Sequence, residues 1–354
     1  MKIKYYEELD GIRGLAAVMV MIFHFFQCQI PTTPITSLVT KISMFGQTGV
    51  TLFFVLSGFL ITRILISTKS SKNYFSSFYL RRSLRIFPLY YFFLILIYYI
   101  IPIFVSSPII EFKYNWYYWF YLQNFAITFK WPYDGPIHFW SLAVEEHFYL
   151  FWPLIVYISS TKNLLRISIW ICIIAIAIRY ILLIQNYDVF YFTFTNMDSL
   201  ATGAILGIIE VKRRSLTLKS FYKYSLLAVT LITIFIWGYW GGQRNNIIQI
   251  LKPTLLNALY FSLIGFVITL NEKNTLKISL SSPLSKYIGR ISYGLYVYHP
   301  LCYSFIIPTM EDKNLFFCLI ICIAVSIIIA TLSYYLFEQK FIELKRFFIA
   351  KPKV

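Results

Sequence analysis

Ten apolar runs follow one another along this sequence, and a helix formed by each could cross the ~30 Å hydrocarbon core of a lipid bilayer. Hydrophobic residues make up 58% of the 354-residue chain and charged residues only 13%, whereas soluble domains carry about 25% charged residues. The sequence therefore predicts an all-α integral membrane protein, a bundle of about ten transmembrane helices. The predicted spans are residues 11–29, 44–66, 86–106, 139–158, 165–184, 191–209, 223–240, 253–270, 289–307 and 315–337.

The basic residues predict the orientation of these helices. The net charge is +17, and Lys and Arg occur in short blocks that fall mostly in alternate loops. Cytoplasmic loops are enriched in Lys and Arg, so we expect both termini in the cytoplasm. Because no continuous basic face is evident, nucleic-acid binding is not expected. Residues 1–340 are predicted to form one transmembrane domain, followed by a short basic cytoplasmic tail at 341–354.

An aromatic segment near residues 114–129 differs from the apolar runs. It combines several Trp and Tyr residues with the amides Gln123 and Asn124. Trp and Tyr concentrate at the interface between membrane and water. We therefore expect an interfacial or re-entrant segment here rather than a spanning helix.

The five cysteines predict core packing rather than a metal site. All lie in apolar segments, and no His or carboxylate accompanies them at metal-ligand spacing. No metal cofactor is expected. The cysteines are Cys28, Cys172, Cys302, Cys318 and Cys322.

Four ionisable side chains interrupt the apolar runs at a similar expected depth. Counting ~1.5 Å per helical residue, His24 lies about 20 Å from the cytoplasmic face and about 10 Å from the outer face. Glu145, Glu146 and Asp198 enter from the outer side and also lie about 10 Å deep. Charged groups in lipid cost at least a few kcal/mol each, so these side chains should face the bundle interior and find partners.

This layer of polar groups has two interpretations. It could be a structural cluster that ties helices together. Alternatively, His24 is a base and a carboxylate orients it and stabilises its charged form. Glu145 and Glu146 point about 100° apart on a helix, so only one of them would address His24.

Basic residues near the cytoplasmic ends of two helices predict a site for an anionic donor. Arg13 lies on the same helical face as His24, roughly 16 Å away, and Asp10 shares that face. Arg82 and Arg85, one turn apart at the entry to the third span, could grip phosphate. Ordinary positive-inside anchoring would equally explain Arg82 and Arg85.

The motifs that contain these residues resemble the acyltransferase 3 family of multi-spanning membrane acyltransferases. The blocks stand in the family's order and extend over nearly the whole chain; each is weak alone, but the set is specific. One departure is His147, where the family usually has glutamine, and this makes His147 a second candidate base. The matching blocks are Leu9–Leu15 (LDGIRGL) leading to His24, Phe53–Ile61 (FFVLSGFLI), Arg82–Pro88 (RSLRIFP), Trp140–Glu146 (WSLAVEE), Asp198, and Ile291–Tyr296 (ISYGLY) with His299–Pro300.

The resemblance implies a donor, an acceptor and a location. The donor would be acetyl-CoA from the cytoplasm, and the acceptor a sugar hydroxyl of a surface or lipid-linked glycan. The chain is similar to stand-alone members that modify lipopolysaccharide O-antigen, which implies a multi-pass protein in lipid of the bacterial inner membrane. Catalysis would fall to His24 with Glu145 and Glu146, and donor binding to Arg13, Arg82 and Arg85.

Two further residues and two other functions stay open at the level of sequence. Ser57 could be a nucleophile, although a serine in Leu-Ser-Gly is more often a packing contact between membrane helices. His299 could line the acceptor path or be a satisfied interior histidine. A proton-coupled transporter or flippase of a glycan would also place His and carboxylates in the membrane, and a noncatalytic scaffold is the other alternative.

Overall fold

The computed structural model describes residues 4–105, 111–212, 216–240, 246–310 and 314–350. These residues contain helices and no β-strand, which confirms the predicted all-α class. The α-helices are α1 Glu8–Gln27, α2 Pro34–Ser43, α3 Gly49–Thr68, α4 Tyr74–Ile95, α5 Ile101–Val105, α6 Phe112–Trp119, α7 Gln123–Thr128, α8 Trp140–Ile158, α9 Thr161–Ile184, α10 Thr193–Val211, α11 Lys219–Trp240, α12 Asn246–Ile268, α13 Thr275–Leu280, α14 Pro283–Ile306, α15 Leu315–Ser333 and α16 Gln339–Glu343.

Seven helical stretches of the described chain are long and apolar enough to cross a membrane, as expected of a multi-pass membrane protein. Three other helices, α8, α10 and α14, coincide with predicted spans and are 19, 19 and 24 residues long. They carry polar side chains of the predicted site, which lower their hydropathy. The seven stretches are Glu8–Gln27, Pro34–Thr68, Tyr74–Val105, Thr161–Ile184, Lys219–Trp237, Asn246–Ile268 and Leu315–Phe348.

The aromatic segment forms two short helices, as its break at the amides suggests. Helix α6 has eight residues and α7 has six, far fewer than the ~20 that a spanning helix needs. Tyr121 separates them with a φ of 59°. Gln123 and Asn124 are fully buried, and the Asn124 amide donates to the Thr193 hydroxyl at 2.6 Å.

The described chain divides into two compact units. The first unit comprises Tyr5–Phe53 and Leu270–Lys345, and the second is built on Phe54–Thr269. The predicted boundary between residues 340 and 341 falls inside α16, and residues 351–354 of the predicted tail lie outside the described residues. That domain division stays a prediction.

The first unit packs α1 against α14 and α15. Its core contains Ala17 and Met21 of α1 with Ile291 and Leu295 of α14. The backbones of α1 and α14 approach closely at Gly289, where a Cβ atom would lie 1.9 Å from the Asp10 carbonyl oxygen. Small residues allow this close contact between membrane helices. The packing brings the polar side chains of α1 and α14 into reach of each other.

The second unit packs α3 against α10 and α8 against α4. At Gly58 a Cβ atom would lie 1.9 Å from the carbonyl oxygen of Leu200. Five residues further along α3, Arg63 is buried and forms an ion pair with Glu210 at 2.7 Å. These contacts position Ser57, which precedes Gly58, within the interior of this unit.

Candidate active site

The first unit brings together two histidines that are 275 residues apart in the chain. His24 Nδ1 in the last turn of α1 lies 2.9 Å from His299 Nε2 in α14. His24 is partly buried, and His299 is 0% exposed. The two ring centroids are 5.0 Å apart. Both predicted site residues therefore belong to one hydrogen-bonded pair.

Neighbouring groups on both helices hold the His299 ring in place. Its Nδ1 lies 2.9 Å from the carbonyl oxygen of Leu295, one turn earlier in α14. The Tyr303 ring packs edge-on against the imidazole with centroids 5.6 Å apart. The Tyr303 hydroxyl donates to the Met21 carbonyl of α1 at 3.2 Å. The ring orientation of His299 is thus fixed by α14, and α14 is tied to α1.

Arg13 forms an ion pair with Asp10 in the first turns of α1. Arg13 Nη1 lies 2.8 Å from Asp10 Oδ1, and the two side chains are 20% and 22% exposed. The Tyr5 hydroxyl also donates to Asp10. Since a guanidinium has five N–H donors, the contact with Asp10 orients Arg13 and leaves donors for a further anion.

A second polar cluster lies in the second unit, around the Tyr149 hydroxyl. Arg82 Nη2 donates to this hydroxyl and lies 3.6 Å from Glu145 Oε2. The Arg82 guanidinium also stacks over the Tyr149 ring, 3.9 Å from its centroid. Ser57 Oγ makes a hydrogen bond with the same hydroxyl. We call Ser57, Arg82, Glu145, Glu146 and Tyr149 the Tyr149 cluster.

Helices α4 and α8 run antiparallel and align Arg82 with Glu145. The Tyr74 hydroxyl at the start of α4 donates to the Pro153 carbonyl at 3.0 Å. Arg82 and Glu145 are each eight residues from those positions, about 12 Å along their helices. Arg82 therefore lies about two turns inside α4, whereas the third predicted span begins only at residue 86. Arg85 follows one turn later and is partly buried.

Glu146 differs from its neighbour Glu145. Its Oε1 atom is buried and has no hydrogen-bond partner among the residues that the structure describes. A buried polar atom without a partner is costly and calls for an explanation, such as a ligand. This atom is available to a bound hydroxyl group.

Asp198 and His147 have partners in the second unit. Asp198 Oδ2 lies 2.5 Å from Arg179 Nη2, and both side chains are 1% exposed. Arg179 also donates to Thr254 of α12 at 3.3 Å, so the pair ties α9, α10 and α12 together. His147 Nδ1 lies 2.8 Å from Thr193 Oγ1. These contacts favour the structural interpretation for Asp198.

A comparison with protein families shows to which family this chain belongs. The profile of a family described as an acyltransferase domain matches residues 6–335. The chain belongs to the acyltransferase 3 family. This membership confirms the resemblance drawn from the sequence motifs.

Several curated proteins are similar to this acyltransferase family member. It is 29% identical to the peptidoglycan O-acetyltransferase OatA of Listeria monocytogenes, over 95% of this chain and 55% of that protein. It is 26% identical to a putative O-acetyltransferase of Staphylococcus aureus, over 96% and 58% of the two chains. For the O-acetyltransferase OatA of Staphylococcus aureus the identity is 25%, over 84% and 50%. The chain spans about half the length of these relatives, and no solved structure matches it significantly.

Two residues of this acyltransferase 3 chain take part in the polar contacts but are absent from the sequence-based prediction. Tyr149 stands one helical turn after Glu145, so it shares a face with a predicted site residue. Arg179 is a lone charge in the apolar helix α9, and such a charge needs a carboxylate partner. Both residues could therefore have been identified as candidates from the sequence. Within the described ranges, no three His, Cys, Asp or Glu side chains are grouped so as to hold a metal ion.

Proposed function

We propose that this protein transfers an acetyl group from a thioester donor to a sugar hydroxyl of a surface glycan. The observation that carries the proposal is the hydrogen-bonded His24–His299 pair inside a helical acyltransferase 3 chain. An imidazole held in one orientation is suited to general-base catalysis. The names of the similar proteins support O-acetylation as the reaction class.

In the proposed reaction, His24 takes the proton of the acceptor hydroxyl as the hydroxyl oxygen attacks the thioester carbonyl. A carbon–oxygen bond forms, the carbon–sulfur bond breaks, and the proton passes from His24 to the leaving thiolate. The products are an O-acetyl ester and a free thiol. We keep Glu145 and Glu146 as proposed catalytic residues: Glu146 Oε1 has no hydrogen-bond partner among the described residues, and Glu145 lies 3.6 Å from Arg82.

We propose acetyl-CoA as the donor and Arg13, Arg82 and Arg85 as the residues that contact its phosphates. Arginine pairs with phosphate through parallel N–H donors. Arg13 and Arg82 each have a carboxylate neighbour, which holds the guanidinium in a fixed direction before the donor arrives. Asp10 and Glu145 would then be orienting partners of these arginines.

The proposal includes a topology. Ten spanning helices, with α8, α10 and α14 added to the seven apolar stretches, would leave both termini on the basic, cytoplasmic side. The donor would then enter from the cytoplasm, and the acceptor would be reached on the outer side of the bacterial inner membrane. Cysteine-accessibility labelling of single-cysteine variants in sealed vesicles tests this arrangement.

The acceptor is proposed as a polysaccharide sugar, and two glycans are candidates. The sequence resemblance favours lipopolysaccharide O-antigen. The similar Listeria protein is named for peptidoglycan, which makes peptidoglycan the second candidate. Both carry secondary or primary sugar hydroxyls that a general base can activate.

The direct experiment uses the protein in lipid nanodiscs with acetyl-CoA labelled in its acetyl group. Each candidate glycan is supplied, and the label in the recovered glycan is located by two-dimensional NMR. We expect ester-linked label that disappears in His24→Ala and persists in His138→Gln, a matched control on a histidine outside these clusters. Movement of a glycan across the membrane without acetylation would contradict the proposal and support a flippase.

A further inference from the structure

In a neutral His24–His299 pair, the hydrogen bonds indicate which ring nitrogens carry protons. A neutral imidazole has one N–H and one acceptor nitrogen. The Leu295 carbonyl can only accept, so the contact with His299 Nδ1 places the His299 proton on Nδ1. His299 Nε2 is then an acceptor, and the 2.9 Å contact requires His24 to donate from Nδ1. The lone pair of His24 consequently lies on Nε2.

Two other protonation states of the pair fit the contacts less well. Two imidazolium rings would have only donors, and no hydrogen bond could join them at 2.9 Å. The opposite tautomer of His299 would place its acceptor nitrogen against the Leu295 carbonyl, acceptor against acceptor. The chain from Leu295 through His299 to His24 is satisfied throughout when both rings carry their proton on Nδ1.

We propose that His299 is a positioning residue that fixes His24 as the Nδ1–H tautomer and presents its Nε2 to the reacting hydroxyl. This inference rests on the proposed acyl transfer. When Nε2 takes the hydroxyl proton, His24 becomes an imidazolium that still donates from Nδ1 to neutral His299. The same hydrogen bond thus orients the base and stabilises its charged form, a task given to a carboxylate in the sequence-based hypothesis.

A spectroscopic test does not depend on turnover. The chain has four histidines, and ¹⁵N NMR of histidine-labelled protein in nanodiscs reports the protonation of each ring nitrogen. The His24 signals are assigned by their loss in His24→Gln. We expect an unprotonated Nε2 on His24 in the wild type and a shifted His24 Nδ1 signal in His299→Leu, where the hydrogen bond to His299 is lost. A protonated Nε2 in the wild type, or an unchanged His24 spectrum in His299→Leu, would overturn the inference.

A kinetic test distinguishes a positioning role of His299 from a role in packing alone. His299→Leu should lower kcat about 10- to 100-fold, less than the roughly 100- to 10,000-fold that a whole general base contributes, with KM for acetyl-CoA within about twofold. His299→Gln, whose amide oxygen can accept from His24, should recover part of the loss. Tyr303→Phe is the matched control, because it removes the hydrogen bond to Met21 between the same helices and should keep kcat within about twofold.

The outcomes of the two tests are distinguishable. Equal losses in His299→Leu and Tyr303→Phe, or an unchanged kcat in His299→Leu, would show that His299 only packs α14 against α1. If the wild-type protein acetylates neither glycan, the proposed function fails, while the NMR spectrum still decides the tautomer of His24.

Discussion

Arg82 Nη2 lies 3.6 Å from Glu145 Oε2, and the same nitrogen donates to the hydroxyl of Tyr149. The two side chains are 21% and 15% exposed. An arginine predicted to bind the donor and a glutamate predicted to assist catalysis therefore share one polar cluster of the second unit. His24, for its part, has its partner His299 within the first unit.

The Arg82–Glu145 contact predicts strong coupling between these two residues. Arg82→Gln and Glu145→Gln should each reduce stability, since each leaves a partly buried charge without its partner. The double variant should lose less stability than the sum of the two single losses, with a coupling energy of about 0.5–3 kcal/mol. Unfolding of the purified proteins in mixed micelles measures the stabilities for this double-mutant cycle. Additive losses of stability would show that the contact is not formed.

The Arg179–Asp198 pair is expected to be structural. Asp198→Asn should destabilise the protein by about 3–5 kcal/mol, because it leaves the buried Arg179 guanidinium uncompensated. The double variant Arg179→Met with Asp198→Leu should regain most of that stability and keep acetyl transfer. Loss of transfer in a well-folded double variant would instead assign Asp198 to substrate binding.

Ser57 is expected to be dispensable as a nucleophile. Its hydroxyl makes a hydrogen bond with Tyr149, and Gly58 beside it packs against Leu200. Ser57→Ala should cost about 0.5–1.5 kcal/mol of stability for the lost hydrogen bond and keep transfer within about threefold. Complete inactivity of folded Ser57→Ala, together with an acetyl-enzyme that can be trapped in the wild type but not in the variant, would contradict this view.

Arg13 is expected to act on donor binding. Arg13→Ala should weaken acetyl-CoA binding about tenfold, equivalent to about 1.4 kcal/mol, because a phosphate contact is lost. Asp10→Asn should have a smaller effect, since it only releases the orientation of Arg13. Calorimetry with purified protein measures both, and unchanged affinity in Arg13→Ala would remove this residue from the donor site.

The helical class and the family could be predicted from the sequence, because hydropathy and motifs are properties of short segments. The helix that carries the third predicted span begins before the span does. Arg81, Arg82 and Arg85 lower the local average there, so the predicted span begins at residue 86, although the helix begins at Tyr74. An arginine with an interior partner is compatible with a buried helix, and no local average can show that partner.

The partner of His24 could not be predicted for a different reason. Counting residues along a helix gives depth but not the identity of the facing side chain. His299 lies 275 residues away, and the contact depends on the close approach of α1 and α14 at Gly289. The depth argument therefore found the polar groups, whereas their pairing required the tertiary structure.

The most direct test of the central claim is acetyl transfer by His24→Ala at matched protein levels. Cells or nanodiscs containing the variant are supplied with labelled acetyl-CoA and glycan, and the ester-linked label is counted. The proposed role of His24 as base predicts a loss of at least about 100-fold with folding and acetyl-CoA binding intact. Transfer at the wild-type rate would contradict it.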